Sequence, residues 1–302
     1  MQKNKVLVVG SLAFDVMFSI PGDFRQSIKL KNGEIDHFNA TYVANGKSQY
    51  PGGTAGNIAA WMGYEKNQTS IFSAWGKDLD DEGYETTLKN LGHDLRGSVG
   101  DYTAHCYNVS DPAHQQLVIW QPNHYQANHT QSLADFYTEA EIKAFEIVIF
   151  AAGTPESILA HLLEFRAINT SSTVIFDPGQ VSPFFGATAF KQCVELADIV
   201  IGNKVEAEHF EDFMAEDWPA HITKIVTLGE NGASLNIPAV KTVTLAAPKV
   251  EIVLETTGAG DAFRAGLIGG MLVGEDLETA VKRALILGSK SVQLPAPQPE
   301  FN

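Results

Sequence analysis

Two glycines and one carboxylate, Gly258, Gly260 and Asp261, stand where an extended stretch gives way to a helical one. The run Glu255-Thr256-Thr257-Gly258-Ala259-Gly260-Asp261-Ala262-Phe263 has the ingredients for handling an anion. A helix start leaves backbone N–H groups without partners at the positive end of the helix dipole, so a phosphate fits there. Glycines let the backbone approach that anion with no Cβ in the way. A bound phosphate would repel Asp261 unless the carboxylate has a task. The fitting task is to accept the proton of a hydroxyl that attacks the phosphate. The alternative is a plain loop-to-helix junction, with Asp261 as a favourable charge in the first turn. Arg264, one turn further on, could pair with Asp261, reach a phosphate, or lie solvated on the surface.

These residues must be held by neighbouring elements. Residues 249–254 alternate apolar and charged and predict a strand, and 262–272 predict a helix. At the other end of the chain, Val6-Leu7-Val8-Val9 is a continuous apolar run that predicts a buried parallel strand ending at Gly10-Ser11. Ligands of open parallel sheets bind beyond the carboxyl ends of the strands, which is where Ser11 and Asp15 fall. Asp15 sits among Phe14, Val16, Met17 and Phe18, where an unpaired carboxylate is costly and a ligand hydroxyl is a fitting partner. Pro51-Gly52-Gly53-Thr54-Ala55-Gly56-Asn57 makes a second glycine-rich approach to a helix, predicted over 58–62. Further strands are expected at 69–75, 103–109, 116–120, 146–153, 173–176, 198–203 and 225–228. Helices are expected at 81–91, 155–167 and 280–293. The strand–helix alternation implies an α/β fold with a doubly wound parallel sheet. The irregular, polar stretch 19–49 does not read as a crossover helix. Gly46-Lys47-Ser48 lacks the leading glycine of a P-loop, which would fall on Thr41.

Composition narrows the function classes. The chain has 302 residues and a formal charge of −15, with no Lys/Arg run, which disfavours nucleic-acid binding. Its two cysteines, Cys106 and Cys193, make neither a disulfide framework nor a metal cluster, and the histidines show no metal spacing. No stretch approaches a membrane span and the first residues do not form a signal peptide, so a cytoplasmic location is expected. A dinucleotide-binding G-x-G-x-x-G is missing after the first strand, and Phe263 fills its last position in the late motif, which argues against a nicotinamide dehydrogenase.

Thr257-Gly258-Ala259-Gly260-Asp261-Ala262-Phe263 resembles the C-terminal signature of the ribokinase (PfkB) family of carbohydrate and nucleoside kinases. Gly52-Gly53 followed by Asn57 resembles that family's N-terminal G-G-x-x-x-N, and Gly76-Lys77-Asp78 its G-x-D. Asn203-Lys204-Val205-Glu206 is similar to its N-x-x-E, and Thr227, Gly229 and Gly232 to its T-x-G-x-x-G. The resemblance implies a ribokinase-like domain over 1–302: a mostly parallel sheet with helices on both faces. It also implies a small β-strand lid drawn from about 16–50 and 102–121, whose closure excludes water. It implies ATP and Mg²⁺, with Asp261 as catalytic base and Gly258, Ala259 and Gly260 as the anion hole. Ser11, Asp15, Gly52, Gly53 and Asn57 would hold the acceptor, with Trp120 and Gln180 beside its base. Asn203, Thr227, Gly229, Gly232, Thr257 and Gly288 would line the nucleotide, and Glu206 would act on the metal through water.

Glu255 stands where the family usually has Asp, which in some relatives helps bind a monovalent cation, so a potassium requirement stays open. Gly10–Asp15, Pro21-Gly22 and Asp177-Pro178-Gly179-Gln180 look most like bacterial adenosine kinases, which implies adenosine as acceptor. Two departures stand against that: Cys106 replaces an expected aromatic, and 177–190 contains no Arg. A sugar such as ribose or fructose is the alternative acceptor, and a non-catalytic nucleoside sensor the alternative class. The expected partners are small molecules only, and either a monomer or a homodimer is allowed.

Overall fold

The computed structural model describes residues 5–24, 28–31, 34–38, 41–113 and 115–301. Parts of the segment expected to form the lid fall outside those residues. The strands are β1 (Val6–Val9), β2 (Ala13–Ser19), β3 (Ile28–Lys31), β4 (Glu34–Phe38), β5 (Gly46–Gly52), β6 (Ser70–Gly76), β7 (Asp94–Gly100), β8 (Ala104–Ser110), β9 (Gln116–Gln121), β10 (Ile147–Phe150), β11 (Thr173–Phe176), β12 (Ile199–Asn203), β13 (Thr223–Thr227), β14 (Ala233–Ile237) and β15 (Lys241–Leu245). The helices are α1 (Thr54–Tyr64), α2 (Tyr84–Asn90), α3 (Glu139–Ala144), α4 (Pro155–Ile168), α5 (Ala187–Leu196), α6 (Lys204–Met214), α7 (Ala259–Leu272) and α8 (Leu277–Ser291).

The apolar run of β1 is buried on both faces because it lies inside a nine-stranded sheet of order β15-β14-β13-β12-β11-β10-β1-β6-β7. From β13 to β7 every pairing is parallel; only β14 runs the other way, antiparallel to both β13 and β15. Side chains alternate along β1: Val6 and Val8 pack with α1, α7 and α8, while Leu7 and Val9 pack with α4, α5 and α6. Each fully buried Leu or Phe in these two layers adds roughly 2 kcal/mol over an exposed one. The order reverses between β1 and β10, and a crevice opens there at the carboxyl ends of the strands.

A second sheet, of order β5-β2-β8-β9, stands over that crevice. Its register places Tyr50, Asp15, Cys106 and Trp120 directly opposite one another, in a single row across all four strands. Side chains on one face of a sheet recur every second residue, so the row shares a face.

One expected strand is not one. Residues 249–254 run extended but join no ladder; Ile252, Val253 and Leu254 are exposed, and Leu254 N–H donates to Val292 O at 2.8 Å. The segment must travel from the sheet edge at β15 back to the start of α7, so it crosses the strand ends instead of pairing. Alternation alone does not distinguish such a strap from a strand. The last helix-breaking point is also earlier than expected: α7 begins at Ala259, which places Asp261 inside its first turn.

Candidate active site

Gly258 caps α7 from the left-handed region (φ 79°), a conformation that favours glycine. Ala259 N–H is engaged by Thr256 O at 3.2 Å. Among the described residues no hydrogen bond occupies the N–H groups of Gly258 and Gly260, as expected of the first residues of a helix. The turn before the helix is tied by Glu255, whose Oε1 accepts from Thr256 N–H (2.8 Å), Thr257 N–H (2.9 Å) and the Thr257 hydroxyl (2.8 Å).

Asp261 keeps partial access to the crevice, and its Oδ2 accepts from Asn57 Nδ2 at 2.8 Å. Burial pushes its carboxyl up to about 7, against the opposing pulls of Arg264 and of the Asn57 hydrogen bond. Asp15 on β2 is buried, and burial, then the charges of Asp261 and Glu255, push it up to about 7 as well. Two buried carboxylates, Asp261 raising the pKa of Asp15, thus stand close together, which suits one of them to accept a proton near neutral pH.

The floor is built from the β1 and β5 ends. Thr54 N–H donates to Ser11 Oγ (3.1 Å), and Ser11 O accepts from Ala55 N–H (3.0 Å) and Gly56 N–H (3.3 Å). Ser11 therefore closes the first turn of α1. Gly53 has φ 81°, and a Cβ there would lie 2.5 Å from Ser11 O; a Cβ on Gly52 would overlap the Asp15 carboxylate. The paired glycines let the chain pass between the carboxylate and the helix.

Arg264 departs most from the sequence reading. It is neither solvated nor paired to Asp261: it is buried and makes a two-pronged ion pair with Asp177 at the end of β11, Nε–Oδ2 2.6 Å and Nη2–Oδ1 2.9 Å. Burial alone would lower the guanidinium's pKa, but the Asp177 charge overrides it and holds the pKa raised. Its Nη1 would lie 2.7 Å from a Cβ on Gly260, so a fixed cation underlies the helix start. Signals for this pair existed in Asp177 at a strand end and Arg264 in an apolar helix, but nothing local joins residues 87 apart.

Asn203 and Glu206 form a capping box on α6: Asn203 Oδ1 accepts from Val205 N–H (2.8 Å) and Glu206 N–H (2.9 Å), and Glu206 Oε2 accepts from Asn203 N–H (2.8 Å). Glu206 is buried, and burial and then Asp177 raise its pKa, with Arg264 opposing.

The remaining candidates divide. Thr227 ends β13, with its hydroxyl 3.5 Å from Gly202 O, and Gly229 (φ 60°) lies in the exposed turn that follows. Gly232 (φ 94°) shapes that turn: its Cβ would overlap Leu245 O. Gly288 lies where α8 meets the start of α7, a Cβ there falling 3.3 Å from Ala259 O. Gln180 is exposed in the short helical turn after β11. Trp120 is 43% exposed on the outermost lid strand, its ring edge-on to Tyr125 at 6.1 Å, so it is not an ordinary core Trp. Cys106 lies between Asp15 and Trp120, and burial, then Asp15, push its thiol up to about 12.

No group of three or more His, Cys, Asp and Glu side chains able to hold a metal occurs among the described residues. Among the described residues no helix is long and apolar enough to cross a membrane.

Known proteins are similar to this chain in sequence and in fold. The nucleoside kinase of Methanocaldococcus jannaschii is 26% identical over 286 residues, 91% of this chain and 86% of that protein. The adenosine kinase of Saccharomyces cerevisiae is 25% identical over 80% of this chain and 77% of its own length. The structure of Burkholderia thailandensis nucleoside kinase in complex with inosine superposes with a TM-score of 0.83 at 26% identity, covering 97% of this chain and 92% of that one. The same kinase in complex with ADP-inosine gives 0.80. Residues 31–300 match the pfkB family carbohydrate kinase profile. With its ribokinase-like sheet, its lid and Asp261 in the first turn of α7, this chain belongs to the PfkB family of carbohydrate kinases and is a phosphotransferase with an alcohol group as acceptor.

Proposed function

We propose that the chain is an ATP-dependent nucleoside kinase whose acceptor is the 5′ hydroxyl of adenosine. The observation that carries this reading is the position of Asp261 between a glycine-lined helix start and the lid row of Asp15, Cys106 and Trp120. The relatives that act on or bind nucleosides support it.

In this reading Asp261 takes the proton of the attacking hydroxyl, its raised pKa matching it to that task near neutral pH. The N–H groups of Gly258 and Gly260, above the Arg264 cation, stabilise charge on the phosphoryl group in transfer, and Ala259 sets the helix start between them. Asp15 and the floor of Ser11, Gly52, Gly53 and Asn57 hold the ribose hydroxyls and orient the 5′ oxygen. The Trp120 ring flanks the base, next to Cys106 in the same row, and Gln180 faces it from the loop after β11. Thr227, Gly229 and Thr257 line the donor's phosphates, and Gly232 and Gly288 shape the backbone around them. Magnesium, when bound, neutralises phosphate charge, and Glu206 would hold it through water with Asn203 fixing that carboxylate.

The test is to incubate the protein with Mg-ATP and a mixture of nucleosides and sugars and identify the product by mass spectrometry. Adenosine monophosphate is expected. A sugar phosphate would transfer the acceptor to ribose or fructose while keeping the role of Asp261. Binding of nucleoside without any product would favour a sensor.

A further inference from the structure

The C-terminal tail enters the active site, and no role in the reaction read above uses it. Trp61 Nε1 donates to Pro297 O at 3.0 Å, and Pro297 lies against the first glycine of the anion hole, its carbonyl oxygen 2.8 Å from where a Gly258 Cβ would be. The next residue, Gln298, is buried. Its amide nitrogen donates to Asn57 Oδ1 at 3.0 Å and to the Tyr84 hydroxyl at 2.8 Å. Tyr84 in turn donates to Gly52 O at 2.8 Å, at the foot of lid strand β5. Gly56 makes room for this, since a Cβ there would overlap the Tyr84 hydroxyl.

The direction of these bonds decides what they do. An amide has one accepting oxygen and one donating nitrogen. With Asn57 Oδ1 committed to Gln298, only Nδ2 is left to face Asp261, which it meets at 2.8 Å. If the Asn57 amide turned over, its oxygen would face the carboxylate, and an acceptor opposite an acceptor favours the protonated acid.

We propose that Gln298 is a positioning residue that locks the Asn57 amide with its N–H side towards Asp261 and, through Tyr84, ties that lock to the foot of the lid at Gly52. This rests on the reading of Asp261 as the base. The lock keeps the carboxylate in its proton-accepting form. Other charges facing Asp261 are Asp15 on β2, Asp177 after β11, Glu206 on α6 and Arg264 on its own helix, and Gln298 touches none of them.

The test uses the full chain with Gln298→Met, which keeps the side-chain length and removes the donor. Two quantities are read: the pH profile of kcat/KM, and the carboxyl titration of Asp261 followed by carbon NMR, its signal identified by loss in Asp261→Asn. In the folded variant the acidic limb and the Asp261 titration both move up by about one pH unit, as for a lost hydrogen bond to a carboxylate. At pH 6 kcat/KM then falls about tenfold, recovering above pH 8, while the KM for ATP stays within twofold. Tyr84→Phe, which loosens the tail without touching Asn57, leaves the limb in place. A Gln298→Met enzyme slowed equally at every pH, or with Asp261 titrating as in the wild type, overturns the lock. Should that variant not fold, Gln298→Asn, one methylene shorter, gives the same readout. If the wild type phosphorylates nothing but the Asp261 titration still moves in the variant, the lock stands and the assignment of the reaction falls.

Discussion

At the α7 end of the cleft, Asp177, Arg264, Asn203 and Glu206 are joined by a two-pronged buried ion pair and a reciprocal capping box. At the lid end, Cys106 and Trp120 stand on a four-stranded sheet whose last strand, β9, is exposed along its length. The first region holds its polar groups by hydrogen bonds within the core, so their geometry exists before any ligand arrives. The second fixes only which residues share a row, and leaves their side chains to be completed by what binds. Chemistry common to a family belongs in the first kind of region, and acceptor preference in the second.

Substitutions can break this contrast. Asp261→Asn should lower kcat by two to four orders of magnitude with ATP binding little changed, as for loss of a general base. Retained turnover would remove the base from the rigid end. Arg264→Met should leave Asp177 buried without its partner and cost about 3–5 kcal/mol of stability in denaturant unfolding. A loss under 1 kcal/mol would show the ion pair to be solvated in solution. Asp15→Ala should raise the acceptor KM by about two orders of magnitude while the KM for ATP moves less than threefold, as for two lost hydrogen bonds to a charged group. Equal effects on both substrates would merge the two regions. Trp120→Ala should change the ratio of kcat/KM between adenosine and other nucleosides by about tenfold or less, from lost ring contact alone. A collapse of turnover with all acceptors would place Trp120 with the chemistry instead.

Acid–base linkage sharpens the same contrast. Asp15 and Asp261 are both pushed up to about 7 in the folded chain, from an ordinary value of 3.8. Between those values the folded state binds more protons than the unfolded, so the pair's contribution to stability declines as pH rises through that window. Asp15→Asn should therefore lose less of its thermal midpoint between pH 5 and pH 8 than the wild type does, in buffers without ligand.

The sheet was legible in the sequence because its parallel strands are short apolar runs, such as Val6-Leu7-Val8-Val9 before Gly10 and Thr173–Phe176 before Asp177. Strand β7 was not, since Asp94-Leu95-Arg96-Gly97-Ser98-Val99-Gly100 has an edge strand's polar mix with two glycines. The β14–β15 hairpin and α3, α5 and α6 were not read as elements either. The glycine motifs around Asn57 and Asp261 could be read because their spacing is local. Arg264 with Asp177, and Gln298 with Asn57 and Tyr84, could not, since partners 87 to 241 residues apart leave no periodic trace. The burial of Glu206 was not legible either, because a capping box looks the same in sequence whether its glutamate faces water or the core.

The hydrogen bond from Asn57 to Asp261 joins residues 204 apart, and Gln298 closes on Asn57 from 241 residues away. During synthesis the first strand, the floor glycines and Asn57 emerge long before the helix that carries the base. β1 itself must wait for β10, whose residues come about 140 positions later, before both its edges are paired. With Asp261 as the proposed base, a growing chain that already displays Ser11, Asp15 and Asn57 therefore has no means of activating a hydroxyl. On the proposed reading the ability to consume ATP waits for α7 to fold back on α1, so half-made molecules are kept from wasting nucleotide.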